Sequence, residues 1–236
     1  MTGPGQVRDR LPEAVLALRW DRAVLARPLG PVAAVVAGLA AVVLVVGAVL
    51  VAGHDYASTL DERITLAAPR GQVLFAALVA VGDVMSAAVL TVVLVAVCLA
   101  AGRPRHALLA LLAPAATGVV TTVLKPLVGR TLDGADSYPS GHTGFATSLA
   151  LVTGLLLASA PAVRATAARI AVLVVVTLLG AAPMAVALVA QHVHYPTDTV
   201  GGFCTALVVV LVVALLVDGV VPAVTARARP GVPPGG

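Results

Sequence analysis

Six times between residues 31 and 217 the chain runs on for the length of a membrane crossing with almost no charge, over 31–53, 82–101, 106–124, 142–161, 168–190 and 199–217. A helix needs roughly 20 apolar residues to span a bilayer, so the pattern predicts an all-α, polytopic membrane protein of six transmembrane helices. Composition agrees: 60% of residues are hydrophobic, 11% are charged and the mean hydropathy is +1.05. An ordinary globular domain carries roughly 45–50% apolar and about 25% charged residues. A free cytosolic enzyme and a disordered chain are both excluded. Aromatic residues make up only 3%, so helix packing must rest on Ala, Val, Leu and other small side chains. Cys98 and Cys204 sit inside apolar runs and read as small hydrophobes, not as a disulfide or metal pair.

The first apolar run starts too far from the N-terminus for a secretory signal and reads as a retained helix. The expected organisation is a cytoplasmic segment over 1–30, one six-helix membrane domain over 31–217 and a cytoplasmic tail over 218–236. The ends of the chain read as interfacial or flexible. Asp83 divides a long apolar stretch from Val73 to Ala101. A carboxylate at the bilayer centre costs several kcal/mol, so Asp83 is expected near an interface, with 73–82 as a helix extension outside the hydrocarbon. His54, Asp55, Asp61, Glu62, His106 and Asp218 read as ordinary interfacial residues.

The net charge is +4, and fourteen of the fifteen basic residues are arginine. They lie in the short breaks between apolar runs and form no nucleic-acid patch. With the N-terminus inside, eleven of them fall on the cytoplasmic side and four outside, the bias of a chain with both termini in the cytoplasm. The Arg-over-Lys and Ala/Val bias suggests a GC-rich bacterial genome, and hence a bacterial inner membrane.

That orientation gathers three polar clusters on the outer face. The first runs from Lys125, the only lysine, to Arg130; the second is Tyr138-Pro139-Ser140-Gly141-His142-Thr143; the third is Gln191-His192-Val193-His194-Tyr195-Pro196-Thr197-Asp198. Proline suits the first turn of a helix, and the Ser140 and Gly141 amides at a helix start favour an anion. Lys125 and Arg130 add cations, the arginine as a fork matched to phosphate oxygens. His194 and Asp198 are four apart, close enough for the carboxylate to orient the ring and leave its other nitrogen to attack phosphorus. His142 could then protonate the leaving oxygen.

Together these residues resemble the type-2 phosphatidic acid phosphatase (PAP2) family, which shares its site with bacterial acid phosphatases and vanadium haloperoxidases. The family pattern is Lys-x6-Arg-Pro, Pro-Ser-Gly-His and Ser-Arg-x5-His-x3-Asp. The second segment is intact as Pro139 to His142, the end of the third is His194 to Asp198, and Lys125 begins the first. The resemblance covers about 31–217 and implies a PAP2-like helical bundle working without a metal or other cofactor. Two family arginines are absent: Leu132 and Asp133 replace Arg-Pro, and Ala187 and Leu188 replace Ser-Arg. Arg130, Gln191 and His192 are the residues expected to compensate as substrate-binding groups.

The expected function is therefore hydrolysis of a prenyl or glycerolipid phosphate or diphosphate at the outer leaflet, through a phosphohistidine. The rivals are a lipid phosphotransferase of the same fold and a non-catalytic lipid-binding or transport protein. A metal transporter using His192 and His194 lacks supporting intramembrane carboxylates.

Overall fold

The computed structural model describes residues 20, 22–25, 28–69 and 73–228, with side chains as far as Pro222. Most of the expected N-terminal segment, and residues 229–236 of the tail, lie outside the described residues. Eight helices and one short hairpin make up the rest. They are α1 (Leu29–Val51), α2 (Thr59–Ala67), α3 (Val73–Val81), α4 (Val84–Ala100), α5 (Pro104–Val128), α6 (Gly141–Ala158), α7 (Thr166–Ala190) and α8 (Pro196–Ala228). Between α5 and α6, β1 (Thr131–Leu132) pairs antiparallel with β2 (Ala135–Asp136).

The architecture is all-α and polytopic. Among the described residues five helices are long and apolar enough to cross a membrane, or up to six if α3 and α4, which meet at a 63° bend, count as one span. The bend falls at Gly82–Asp83, where the apolar stretch was expected to divide. Helix α3 packs against α7. Helix α8 runs past residue 217, where its apolar span was expected to end.

Helix α8 is the centre of the bundle, packed against α1, α5 and α6, while α7 packs on α6. Its inward face carries Ala206, Val210 and Ala214, each fully buried. Val210 and Ala214 share one core cluster with Ala33 and Ala37 of α1 and Ala110 and Ala113 of α5. Small side chains let these backbones approach closely, as the low aromatic content requires. Thr117 and Ser148 share a 2.9 Å hydrogen bond between α5 and α6, the kind of polar link that joins helices where no water competes. The outward faces are apolar: Leu39, Val42, Val46 and Val49 on α1 and Val84, Met85, Val89 and Val92 on α4 are all exposed. Contiguous exposed apolar surface on this scale is a surface for lipid.

At the other end of the bundle the start of the chain is tied to α8. The Asp218 carboxylate accepts the amides of Val24 and Leu25 at 2.8 Å each and pairs with Arg105 at 3.3 Å. This leaves the opposite end, where α5 ends and α6 and α8 begin, to carry the polar clusters.

Candidate active site

Helices α6 and α8 begin side by side, and one hydrogen bond joins their two motifs: the Ser140 amide donates to the Asp198 carbonyl at 3.0 Å. The approach is so close that a Cβ on Gly202 would overlap the Ser140 carbonyl, so glycine is required there. Ser140 is the N-cap of α6, and its hydroxyl accepts the Thr143 amide at 3.3 Å. The Ser140 amide is thus committed to α8. The amides left open at this helix start are those of Gly141 and His142, which no intrahelical carbonyl can satisfy.

His194 lies in the turn before α8 and Asp198 on its first turn. The His194 Nδ1 to Asp198 Oδ2 distance is 3.4 Å, longer than a full hydrogen bond. The same Oδ2 accepts the Tyr195 amide at 3.0 Å, as a carboxylate three residues into a helix does in a capping box. Asp198 is therefore fixed by its own helix start before it meets the imidazole.

The other Asp198 oxygen, Oδ1, is 2.7 Å from Nη1 of Arg130, and Arg130 Nη2 is 2.8 Å from Oδ2 of Asp61. Arg130 Nη1 also donates to the Thr197 hydroxyl at 2.6 Å, and the guanidinium lies 4.2 Å over the Tyr195 ring. Arg130, Asp61 and Asp198 are all fully buried. Asp61 is the third residue of its helix too, in a capping box with Ser58. Arg130 thus bridges two helix starts, each of which already favours a carboxylate. Asp61 further accepts the Thr197 amide at 2.9 Å. Burial pushes its carboxyl up, but the bonds from Arg130, the Thr197 amide, Ser58 and the Thr197 hydroxyl outweigh this and hold it below its ordinary range.

The other expected site residues fall around this frame. The Lys125 ammonium donates to the Asp136 carbonyl at 2.7 Å and lies within electrostatic reach of Asp198 and His142. His142 is within electrostatic range of His194. His192 is exposed, has a left-handed φ of 56°, and lines a cavity beside His194 together with Glu62, Thr65, Leu66 and Leu132. Gln191 caps the end of α7 and is half-buried. Leu188 is fully buried. Among the described residues, no three His, Cys, Asp or Glu side chains converge as metal ligands.

Two expectations change. Arg130, expected as a phosphate fork, gives its two terminal nitrogens to Asp61 and Asp198, because a desolvated guanidinium must meet charge it can reach. Ser140, expected to offer a free amide, spends it on Asp198. Asp61, read as an ordinary interfacial residue, and Thr197, named in the third cluster but given no role, belong to this network as well. The Ser58-x-x-Asp61 spacing is visible in the sequence as a capping box, but nothing local shows that Arg130, 69 positions away, would close over it.

Residues 131–222 match the model of the PAP2 superfamily. The matched segment begins beside Arg130 and contains both the Pro139–His142 and His194–Asp198 motifs, so the resemblance and the geometry meet in the same residues. No curated protein and no solved structure matches the chain.

Proposed function

We propose, from the superfamily match over residues 131–222 and the carboxylate-held imidazole at His194, that this membrane protein is a phosphatase acting on a lipid phosphate or diphosphate. The observation that carries the reading is the Asp198 carboxylate, which sits 3.4 Å from His194 Nδ1 and leaves Nε2 free to attack. In the first step the Nε2 lone pair forms a bond to phosphorus. The bond from phosphorus to the lipid oxygen breaks, and that oxygen takes its electron pair and a proton from His142. Asp198 steadies the positive charge on the phosphorylated ring. Water then attacks phosphorus, gives its proton to His142, and returns the N–P electrons to His194 as phosphate departs. The Gly141 and His142 amides and Lys125 hold the phosphoryl oxygens.

One observation favours a rival. Leu132 and Leu188 stand where family arginines are expected, and Arg130 is committed to carboxylates, so the site is poor in free cations. A lipid-binding protein of the same fold would look like this. Phosphate release by purified protein in detergent separates the two, measured on undecaprenyl diphosphate, phosphatidate and phosphatidylglycerophosphate. The expected result is release from at least one of them, blocked by vanadate, which mimics the five-coordinate phosphorus of a phosphohistidine enzyme. No release from any of the three favours the binding protein.

The site is placed at the outer leaflet, with both termini in the cytoplasm, on the arginine asymmetry of the loops. Both native cysteines are buried, so introduced thiols report cleanly. In intact cells, Ala135→Cys in the exposed hairpin should react with a membrane-impermeant maleimide. Ala162→Cys, exposed between α6 and α7, should react only after permeabilisation. The opposite pattern would reverse the topology.

A further inference from the structure

Asp83 is the N-cap residue of α4, yet its side chain makes no capping bond. An aspartate in that position ordinarily accepts an amide from the first turn. Here its Oδ1 lies 3.6 Å from Nε2 of His142. That nitrogen is enclosed and has no hydrogen-bond partner among the described residues. The 63° bend between α3 and α4 makes the approach possible. Its corner residue, Gly82, lies against the imidazole so tightly that a Cβ there would overlap the ring. The titratable groups within electrostatic range of His142 are then Asp83 from the corner, His194 from the α7–α8 turn and Lys125 from α5. Two of these three are bases or cations, and Asp83 is the one carboxylate among them.

We propose that Asp83 is a positioning residue for His142, holding the imidazole by Nε2 so that Nδ1 delivers the proton to the leaving lipid oxygen. This rests on the phosphatase reading above and adds a second carboxylate–imidazole pair to it. His194 is held through Nδ1 and attacks with Nε2; His142 is held through Nε2 and protonates with Nδ1. The gap of 3.6 Å is beyond a hydrogen bond, and catalytic contacts of this kind tighten once substrate is bound. The Asp83 side chain is 64% exposed, so it adds little to folding and can be replaced without unfolding the protein.

The test uses two substrates that differ in their need for a proton. Dodecyl phosphate must expel a strongly basic alkoxide, whereas p-nitrophenyl phosphate expels a phenolate that leaves unaided. Asp83→Asn should lower kcat/KM for dodecyl phosphate by about 30-fold, within the usual range for acid–base catalysis. It should lower kcat/KM for p-nitrophenyl phosphate, which reports only the transfer to His194 and not the later attack of water, by less than about threefold. Asp83→Glu should recover part of the loss, and Gly82→Ala, whose methyl displaces the ring, should repeat the pattern. Equal losses on both substrates, or no loss on either, would overturn the role of Asp83. Failure of the wild-type protein to release phosphate from these two substrates and from the three lipids above would overturn the phosphatase reading itself.

Discussion

His194→Ala should release no measurable phosphate from any lipid that the wild-type protein hydrolyses, while its thermal unfolding in detergent stays close to wild type. The two halves of this expectation have separate grounds. Removing a covalent nucleophile costs on the order of 10⁶-fold in kcat where such losses are known, which puts turnover below detection. Removing the imidazole leaves Asp198 with its bonds to Arg130 at 2.7 Å and to the Tyr195 amide at 3.0 Å. No buried charge is orphaned, so the fold survives. Asp198→Asn should behave differently. It takes the orienting carboxylate from His194, a loss of about 10⁴-fold in a comparable arrangement, and also takes half of the charge facing Arg130. Activity and stability should fall together. Near wild-type phosphate release by His194→Ala would refute the phosphohistidine step.

The second large effect is at Arg130. Arg130→Ala strands two buried carboxylates, and breaking such a pair costs about 3–5 kcal/mol. For a chain of this size that corresponds to a fall of roughly 6–20 °C in Tm. Arg130→Lys keeps the charge but offers one ammonium where two carboxylates are bridged by a fork. It should still fold, with Tm and kcat both reduced. The affinity for inorganic phosphate, read as product inhibition, distinguishes the two roles considered for this residue. If Arg130 holds Asp198 in place, Arg130→Lys lowers kcat and leaves phosphate affinity almost unchanged. If it binds phosphate, phosphate affinity falls as well. Asp61→Asn completes the pair and also has a signature in pH. The Asp61 carboxyl titrates below its ordinary value of 3.8 in the folded protein. Its stabilisation is therefore full above that pH and is lost as the pH falls through the lower folded value. The wild type should lose stability below about pH 4, and Asp61→Asn should show less of that loss while being less stable near neutrality.

The same network shows how far local signals reach. Pro139-Ser140-Gly141-His142 announces a helix start, and α6 begins at Gly141 with Ser140 as its cap. His194 and Asp198 are close in sequence and meet in space. Asp61 and Asp83 carried no such signal, because the partner of each is distant in the chain. Each read as an interfacial acid; only the tertiary structure showed Asp61 enclosed beside Arg130 and Asp83 brought to His142 by the bend at Gly82–Asp83.

What the sequence determined by itself is whatever sums over a short window. Twenty apolar residues in a row must cross a bilayer or be buried, so the all-α polytopic architecture was readable from hydropathy alone. The residue types of the motifs, set at the starts of α6 and α8, were readable too. Tertiary structure alone decided which charges pair. Arg130 could have faced a phosphate or a carboxylate with equal local propriety. It turned to Asp61 and Asp198 because α2 and α8 start on either side of it and exclude the water that would otherwise solvate a guanidinium. A buried charge is only tolerable beside its opposite, and which opposite lies within reach depends on helix placement, a quantity that no window of neighbouring residues contains.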